Sequence, residues 1–168
     1  MSNPSIRVGH GYDLHRLERL PPLGRGRPFI LGGVTFAHDH GPIAHSDGDA
    51  LYHAVTDALL GALGMPDIGR LFPDDDPRWR DGDSSQFLRE AAQRMRDGGW
   101  CVVNLDVTVI CERPKLGDHR GAILANLARL LGCEVPQINV KGKTHERVDA
   151  IGEGRAVEVH AVVLLSRL

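Results

Sequence analysis

The segment GHGYDLH, at positions 9–15, contains two side chains that commonly bind metal ions. Asp13 and His15 are two residues apart, so both would point to the same face of an extended strand. A carboxylate and an imidazole presented together suit Zn²⁺. Taken alone, such a pair is more often an ordinary surface or turn pair, so a metal site needs a further ligand from elsewhere in the chain.

In the segment AHSDGDALYHAVTDALLG, three polar residues recur at intervals of four: Asp49, His53 and Asp57. They would therefore form one stripe along a helix. A histidine between two carboxylates indicates a metal ligand, with Asp49 and Asp57 orienting the ring of His53. The same spacing also fits a solvated polar face. His45 and Ser46, before the helix, could instead face an anion that the free N–H groups of the helix start help to bind.

The segment NVKGKTHE, at positions 139–146, combines ammonium, hydroxyl and carboxylate groups after a predicted strand. Lys141 and Lys143 could contact phosphate oxygens, while the Thr144 hydroxyl and the Glu146 carboxylate complete the set. The mixture suits a phosphate that is bridged by a metal ion. An ordinary charged loop would have the same composition.

Composition restricts the classes of protein that could use these groups. The chain has 168 residues and a mass of 18.3 kDa, which predicts one domain over residues 1–168. A net charge of -2 and only 5% aromatic residues argue against nucleic acid or an anionic membrane as partner. No membrane-spanning run or targeting segment is visible, which predicts a cytoplasmic protein. Cys101, Cys111 and Cys133 form no CxxC pair, and we interpret them as reduced core residues.

Periodicity and capping residues predict the elements that position these groups. Alternating apolar residues predict strands over 6–12, 29–36, 101–111, 138–141 and 157–163. Helices are predicted from Ser46 or Asp47 to about Leu63, from the Asp83 and Gln86 capping-box pattern to Gly98, and from Asp118 to Gly132. The connections 16–28 and 64–83 are long, and the second is a candidate lid.

This order of elements predicts an α+β fold, a two-layer α/β sandwich in which helices cover one face of a mixed sheet. Polar residues alternate with apolar ones along 101–111 and 157–163. The alternation indicates that the other sheet face packs against copies of the chain or around a cavity.

The segments GHGYDLH, AHSDGDALYHAVTDALLGALG, PDIGRLFPD and ERPKL have an order and spacing that resemble the 2-C-methyl-D-erythritol 2,4-cyclodiphosphate synthase family of non-mevalonate isoprenoid biosynthesis. The resemblance runs over about residues 6–165. It implies a homotrimer with sheets packed around a central axis and active sites at subunit interfaces. The implied enzyme is a phosphorus–oxygen lyase. It converts 4-diphosphocytidyl-2-C-methyl-D-erythritol 2-phosphate to the 2,4-cyclodiphosphate and CMP.

The resemblance also implies roles for individual residues. The implied metal ligands are Asp13, His15 and His53 for Zn²⁺ and Glu146 for Mg²⁺ or Mn²⁺. The implied transition-state stabilisers are His45 and Thr144. The implied substrate contacts are Ser46, Asp67, Ile68, Gly69 and Asp74 for the erythritol phosphate, Cys111, Pro114, Lys115, Leu116 and Gly117 for cytidine, and Gly142 and Lys143 in the phosphate loop.

The sequence departs from the family pattern in two places. Residues 149–156 read DAIGEGRA where most of the family have a run like G-F-x-G-R-x-E-G, so Ala150 replaces the aromatic residue, and Glu153 and Arg155 are in swapped order. In the family this region lines the central trimer cavity, where some members hold an isoprenoid diphosphate. We therefore expect the usual contacts to that ligand to be lost. Lys143 replaces a common threonine and adds positive charge.

The implied reaction brings two phosphate groups of one molecule together. Each pair of charges at about 4 Å repels by about 1 kcal/mol in water and about 4 kcal/mol at an effective dielectric constant of ~20. Two imidazoles and one carboxylate would leave a positive charge on Zn²⁺ and an open position for a β-phosphate oxygen. Two alternatives stay open: a zinc-dependent phosphohydrolase with water as the nucleophile, and a trimeric ligand-binding or structural protein that keeps zinc for stability.

Overall fold

The computed structural model describes residues 5–73, 76 and 82–168. Its strands are β1 (Ile6–Arg19), β2 (Phe29–Leu31), β3 (Val34–Phe36), β4 (His40–Pro42), β5 (Trp100–Ile110), β6 (Ile138–Lys143) and β7 (Ala156–Arg167). Its helices are α1 (Ala50–Leu63), α2 (Ile68–Leu71), α3 (Ser85–Asp97), α4 (Arg120–Leu131) and α5 (Asp149–Gly152). None of the helices in these ranges has the length and apolar character needed to cross a lipid bilayer.

Five of the strands form one sheet, in the order β4-β1-β7-β5-β6. Neighbouring strands are antiparallel except β5 and β6, which are parallel, so the sheet is mixed. The strands β2 and β3 form a separate hairpin. This arrangement confirms the predicted α+β fold.

The helices cover one face of this sheet. Along β7, the buried Val157, Val159 and Ala161 alternate with the half-buried Glu158 and His160, because successive side chains of a strand point to opposite faces. Helix α1 packs on β1 and β7, α3 packs on β5, and α4 packs on β6. The apolar side chains between these layers form the core.

Two glycines let α1 lie directly on β1. A Cβ atom built on Gly11 would lie 1.8 Å from the carbonyl oxygen of Ala54, and one built on Gly9 would lie 1.9 Å from that of Ala58. Only residues without a side chain permit this approach of helix backbone to strand backbone. The contact brings His53, beside Ala54 on α1, close to the residues that follow Gly11 on β1.

Several predicted elements differ from the observed ones. The predicted strand over 29–36 is a hairpin, because Gly32 and Gly33 adopt positive φ values of 59° and 72° and reverse the chain. The predicted strand over 6–12 extends to Arg19, since its second half pairs with β4 and β7. The long connection 64–83 contains the short helix α2.

The helix boundaries also shift at their first residues. Helix α1 is capped by Asp49 and not by Ser46 or Asp47. Helix α3 begins after Ser84, so the predicted capping box of Asp83 and Gln86 does not form. A short 3₁₀ turn, Gly117–His119, precedes α4, which ends at the left-handed Gly132 as predicted.

The close contact of α1 with β1 predicts a large cost for adding one methyl group. Gly11→Ala is expected to lower the free energy of unfolding by about 1–3 kcal/mol or more, because the strand and helix backbones must separate. Gly121→Ala is the matched control. It lies in α4 with open space around the added methyl group, so it should be neutral or stabilise by up to about 1 kcal/mol. Chemical denaturation checks both, and equal stabilities would contradict the packing argument.

Candidate active site

Three candidate metal ligands from two elements meet at one point. Strand β1 supplies Asp13 and His15, and α1 supplies His53. The Asp13 Oδ2 atom lies 2.8 Å from His15 Nδ1 and 3.3 Å from His53 Nδ1. One ligand atom from each of the three residues lies within 4.8 Å of the other two. One carboxylate oxygen therefore sits between two imidazole nitrogens.

The electrostatics of this cluster keep its carboxylate ionised. Burial alone would raise the pKa of Asp13, but the two imidazoles beside it outweigh burial and lower that pKa to about 2. For His53, burial would lower the pKa, and the Asp13 carboxylate outweighs it and raises the pKa.

The donor set fits a divalent ion. His15 Nδ1 is buried and makes no hydrogen bond of ordinary geometry, although it lies close to Asp13. A buried ring nitrogen left without a hydrogen bond is expected where a ligand faces a cation, and here it is His15 Nδ1. Two imidazoles and a carboxylate are a donor set that zinc accepts, with a fourth position left for another ligand.

The other side of the His53 ring contacts a buried serine that the sequence does not point to. His53 Nε2 lies 2.8 Å from Ser84 Oγ, and the Ser84 hydroxyl donates to a carboxylate oxygen of Asp47. The second Asp47 oxygen accepts from the Ser84 backbone N–H at 3.1 Å. A proton on Nε2 would let His53 donate to Ser84 and leave the Nδ1 lone pair facing Asp13. Ser46 Oγ lies farther from His53 Nε2, at 3.4 Å.

Asp49 does not orient the His53 ring, contrary to the prediction. Its side chain is fully buried at the start of α1, where it accepts hydrogen bonds from the backbone N–H groups of Leu51 and Tyr52 at 3.1 Å. It also accepts from the N–H groups of Gly32 and Gly33 in the β2–β3 hairpin, at 3.0 and 2.7 Å. Burial raises the pKa of Asp49. The residue fastens the hairpin to the helix start.

Asp57 also has a backbone partner in place of His53. Its Oδ1 atom accepts a hydrogen bond of 2.8 Å from the Ile68 N–H at the start of α2. Of the three residues spaced by four, only His53 and Asp57 lie on α1, since Asp49 is its N-cap, and neither acid contacts the His53 ring through a hydrogen bond among those described. Asp57 positions the segment that lies over the metal cluster.

The Asp13–His15–His53 cluster opens into a cavity of about 350 Å³. Four of the other predicted site residues also line it: His45, Ser46, Ile68 and Gly69. The motifs do not point to Phe72 and Phe87, which also line this cavity and whose ring centroids lie 4.8 Å apart. Asp67 caps α2 by accepting from the Arg70 N–H at 3.0 Å. The predicted contact Asp74 lies outside the described residues.

A second cavity, of about 510 Å³, lies at the ends of β5 and β6. It is lined by the predicted residues Cys111, Pro114, Lys115, Leu116, Gly117, Gly142, Lys143, Thr144 and Glu146. Arg120, which the sequence analysis missed, also lines it and donates to the Val140 carbonyl at 2.8 Å. The Thr144 hydroxyl donates to Glu146 Oε1 at 3.3 Å.

The loop that carries Glu146 has an unusual backbone. Glu146, Arg147 and Asp149 have φ values of 52°, 63° and 62°, in the left-handed region that side chains disfavour. Asp149 holds the bend because one carboxylate oxygen contacts His145 Nδ1 at 2.9 Å and the other accepts from the Ile151 N–H at 2.8 Å. Such strain is found where a structure must place a functional group in a defined position.

The two cavities are separate within one chain. Among the described residues, none lines both. Asp13 pairs with Val159, Val159 with Val109, and Val109 with Gly142, so three strand spacings separate them. At ~4.8 Å per spacing, Asp13 and Gly142 are about 14 Å apart.

The fold and the site define an α+β protein with a candidate metal site beside one cavity and the cationic side chains of Lys115, Arg120 and Lys143 beside another. The model of the YgbB family matches residues 6–166. A chloroplastic 2-C-methyl-D-erythritol 2,4-cyclodiphosphate synthase of Catharanthus roseus is 53% identical over 97% of this chain, which spans 66% of that relative. The Chromobacterium violaceum enzyme of the same name is 51% identical, over 96% of this chain and 99% of that one.

Solved structures agree with these relatives. The "IspF (Plasmodium falciparum) CDP complex" has a TM-score of 0.85 at 38% identity and covers 99% of both chains. A CDP-bound 2C-methyl-D-erythritol-2,4-cyclodiphosphate synthase has a TM-score of 0.84 at 44% identity, over 95% of this chain and 100% of that one. The chain belongs to the YgbB family, that of the 2-C-methyl-D-erythritol 2,4-cyclodiphosphate synthases, which confirms the resemblance read from its motifs.

The Ser84 contact predicts an effect on metal affinity from a residue that touches no metal. Ser84→Ala is expected to lower the affinity of the cluster for Zn²⁺ or Co²⁺ by about 10–100-fold, because the His53 ring loses the partner that orients it. Ser85→Ala is the matched control, since its buried hydroxyl has no hydrogen-bond partner in the described structure. Competition titration against a chromophoric chelator measures both. Equal affinities would remove the orienting role of Ser84.

Proposed function

We propose that this chain converts 4-diphosphocytidyl-2-C-methyl-D-erythritol 2-phosphate to 2-C-methyl-D-erythritol 2,4-cyclodiphosphate and CMP. It is then a cyclising phosphorus–oxygen lyase of non-mevalonate isoprenoid precursor biosynthesis. The observation that carries the proposal is the meeting of Asp13, His15 and His53 beside a cavity, in a family with CDP-bound members. A second, cationic cavity for a cytidine diphosphate supports it.

The reaction balances without a protein nucleophile. A 2-phosphate oxygen forms a bond to the β-phosphorus, the bond from that phosphorus to the oxygen bridging to the α-phosphate breaks, and CMP leaves with the electron pair. The obstacle is the mutual repulsion of the phosphates, so catalysis consists of positioning and charge stabilisation.

The residues divide this work between them. Asp13, His15 and His53 would hold Zn²⁺, and Glu146 would hold Mg²⁺ or Mn²⁺. These cations supply positive charge for the β-phosphate and for the departing CMP. His45 and Thr144 would donate to charge that develops in the transition state. Phe72 and Phe87 would help to exclude water, since their rings form an apolar wall beside the cluster.

The remaining substrate contacts follow the two cavities. Ser46, Asp67, Ile68, Gly69 and Asp74 would contact the erythritol phosphate. Cys111, Pro114, Lys115, Leu116 and Gly117 would enclose the cytidine, with Gly142 and Lys143 at the phosphates. Burial raises the pKa of the Cys111 thiol to about 12, and the thiol donates to the Arg113 carbonyl, so it acts there as a neutral wall group.

Assembly as a homotrimer would complete the site. The sheet face opposite the helices carries apolar side chains that are exposed in the single chain, among them Val8 at 65%, Tyr12 at 47% and Val162 at 43%. Contiguous apolar surface of this kind favours self-association. Packing three such faces around an axis would bring the metal cluster of one subunit towards the cytidine cavity of its neighbour.

Product analysis tests the activity. Incubation of the purified protein with the substrate, Zn²⁺ and Mg²⁺ should give CMP and a cyclic diphosphate by ³¹P NMR. His53→Ala should lower kcat/KM by about 100-fold or more while the fold survives. Asp118→Asn, which alters a charge on an exposed turn, serves as the control. A linear diphosphate as product would instead identify a phosphohydrolase, and binding without turnover would identify a ligand-binding protein.

Mixed assemblies test the shared site. His53→Ala and Glu146→Gln chains are each expected to be inactive. Co-expressed and purified through two different affinity tags, so that only mixed trimers remain, they should recover about a third of the wild-type activity if each site combines halves from two subunits, because one of the three interfaces in every mixed trimer carries both intact halves. Absence of recovery in mixed trimers would show that each chain holds a complete site.

A further inference from the structure

A second group of metal-binding side chains lies outside both cavities described above. His38, Asp39 and His40 stand at the start of β4, and one ligand atom from each lies within 4.8 Å of the other two. The Asp39 Oδ1 atom lies 2.8 Å from His40 Nδ1 and 3.6 Å from His38 Nδ1. A carboxylate oxygen between two Nδ1 atoms is the arrangement found at Asp13, where the corresponding distances are 2.8 and 3.3 Å.

A buried carboxylate lines the same cavity as this group. His38, Asp39 and His40 line a cavity of about 550 Å³ together with Glu112. The Oε2 atom of Glu112 is buried and has no hydrogen-bond partner in the part of the chain that is described. Burying a carboxylate oxygen without a hydrogen-bond partner costs free energy of folding, and a cation bound nearby would offset that cost.

The other charged groups of the cavity are accounted for or exposed. Glu153 also lines the cavity, but its Oε2 atom forms an ion pair with the Arg155 guanidinium at 2.6 Å, so its negative charge is already balanced. Arg113 and Arg147 also line the cavity, but both are exposed, so solvent screens their repulsion of a cation.

We propose that His38, Asp39 and His40 form a second binding site for a divalent transition-metal ion of the Zn²⁺ type, and that the buried carboxylate of Glu112 on the same cavity stabilises the bound charge. Imidazole and carboxylate donors at this spacing select Zn²⁺ and its neighbours over Mg²⁺. The site shares no lining residue with the Asp13 cavity among the residues described, and it does not rest on the proposed reaction. It is weaker than the Asp13 cluster, because the Asp39 side chain is 74% exposed.

Metal stoichiometry on the intact protein separates the two sites. After dialysis against a buffered concentration of free Zn²⁺, wild-type protein should hold about one equivalent more zinc than His40→Ala. His53→Ala should keep the equivalent that His40→Ala loses, and the double variant should lose both. His40→Ala should retain wild-type turnover, so this result does not depend on the enzymatic assignment.

Two further variants make the assignment specific. His10→Ala is the control, since His10 is another exposed histidine, paired with His160 at 3.2 Å on the opposite sheet face. It should leave the zinc content unchanged. Glu112→Gln should weaken binding of the second equivalent without abolishing it, and Co²⁺ absorption in the His53→Ala background should change with His40→Ala and not with His10→Ala. If His53→Ala binds no zinc, or if its zinc survives His40→Ala or is lost with His10→Ala, the proposal is overturned.

Discussion

A single carboxylate oxygen, Asp13 Oδ2, is shared by imidazoles from a strand and a helix, and the rest of the site depends on that contact. It exists because Gly9 and Gly11 let the α1 backbone lie on β1. Glycine at these two strand positions thus fixes the distance between His53 on α1 and the residues of β1. On the far side of the ring, the buried Ser84 and Asp47 set its rotation. Backbone packing therefore determines the distance between ligands, and a hydrogen bond determines their direction.

The two other acidic residues of this segment hold neighbouring parts of the chain in place. Asp49 and Asp57 are occupied by backbone N–H groups, one holding the β2–β3 hairpin and the other the start of α2. Each connects α1 to a neighbouring segment, and the α2 segment lines the cavity at the cluster through Ile68 and Gly69. The cationic cavity at β5 and β6 lies three strands away, and the strained loop at Glu146 is held by Asp149 independently of α1. If the two cavities serve one reaction, as proposed, they can do so only across a subunit interface or through a substrate that spans them.

Features that depend on neighbouring residues could be predicted from the sequence, and contacts between distant segments could not. Period-two alternation predicted β5 and β7, because one buried face determines it, and the motif at 9–15 correctly predicted that the Asp13 and His15 side chains lie together on one strand. The hairpin at 29–36 was predicted as one strand, because the alternation of apolar residues gives no sign that Gly32 and Gly33 adopt positive φ values and reverse the chain. The partners of Asp49 and the role of Ser84 could not be predicted. Ser84 is 31 positions from His53, and nothing local to either residue indicates that they meet.

The buried thiol of Cys111 has a consequence for chemical reactivity. Alkylating agents and peroxides attack the thiolate, and a pKa of about 12 leaves almost none of that form at neutral pH. The Cys111 side chain should therefore resist oxidation. Covalent fragments aimed at it would find a poor nucleophile, so reversible ligands are the better route to occupying that cavity.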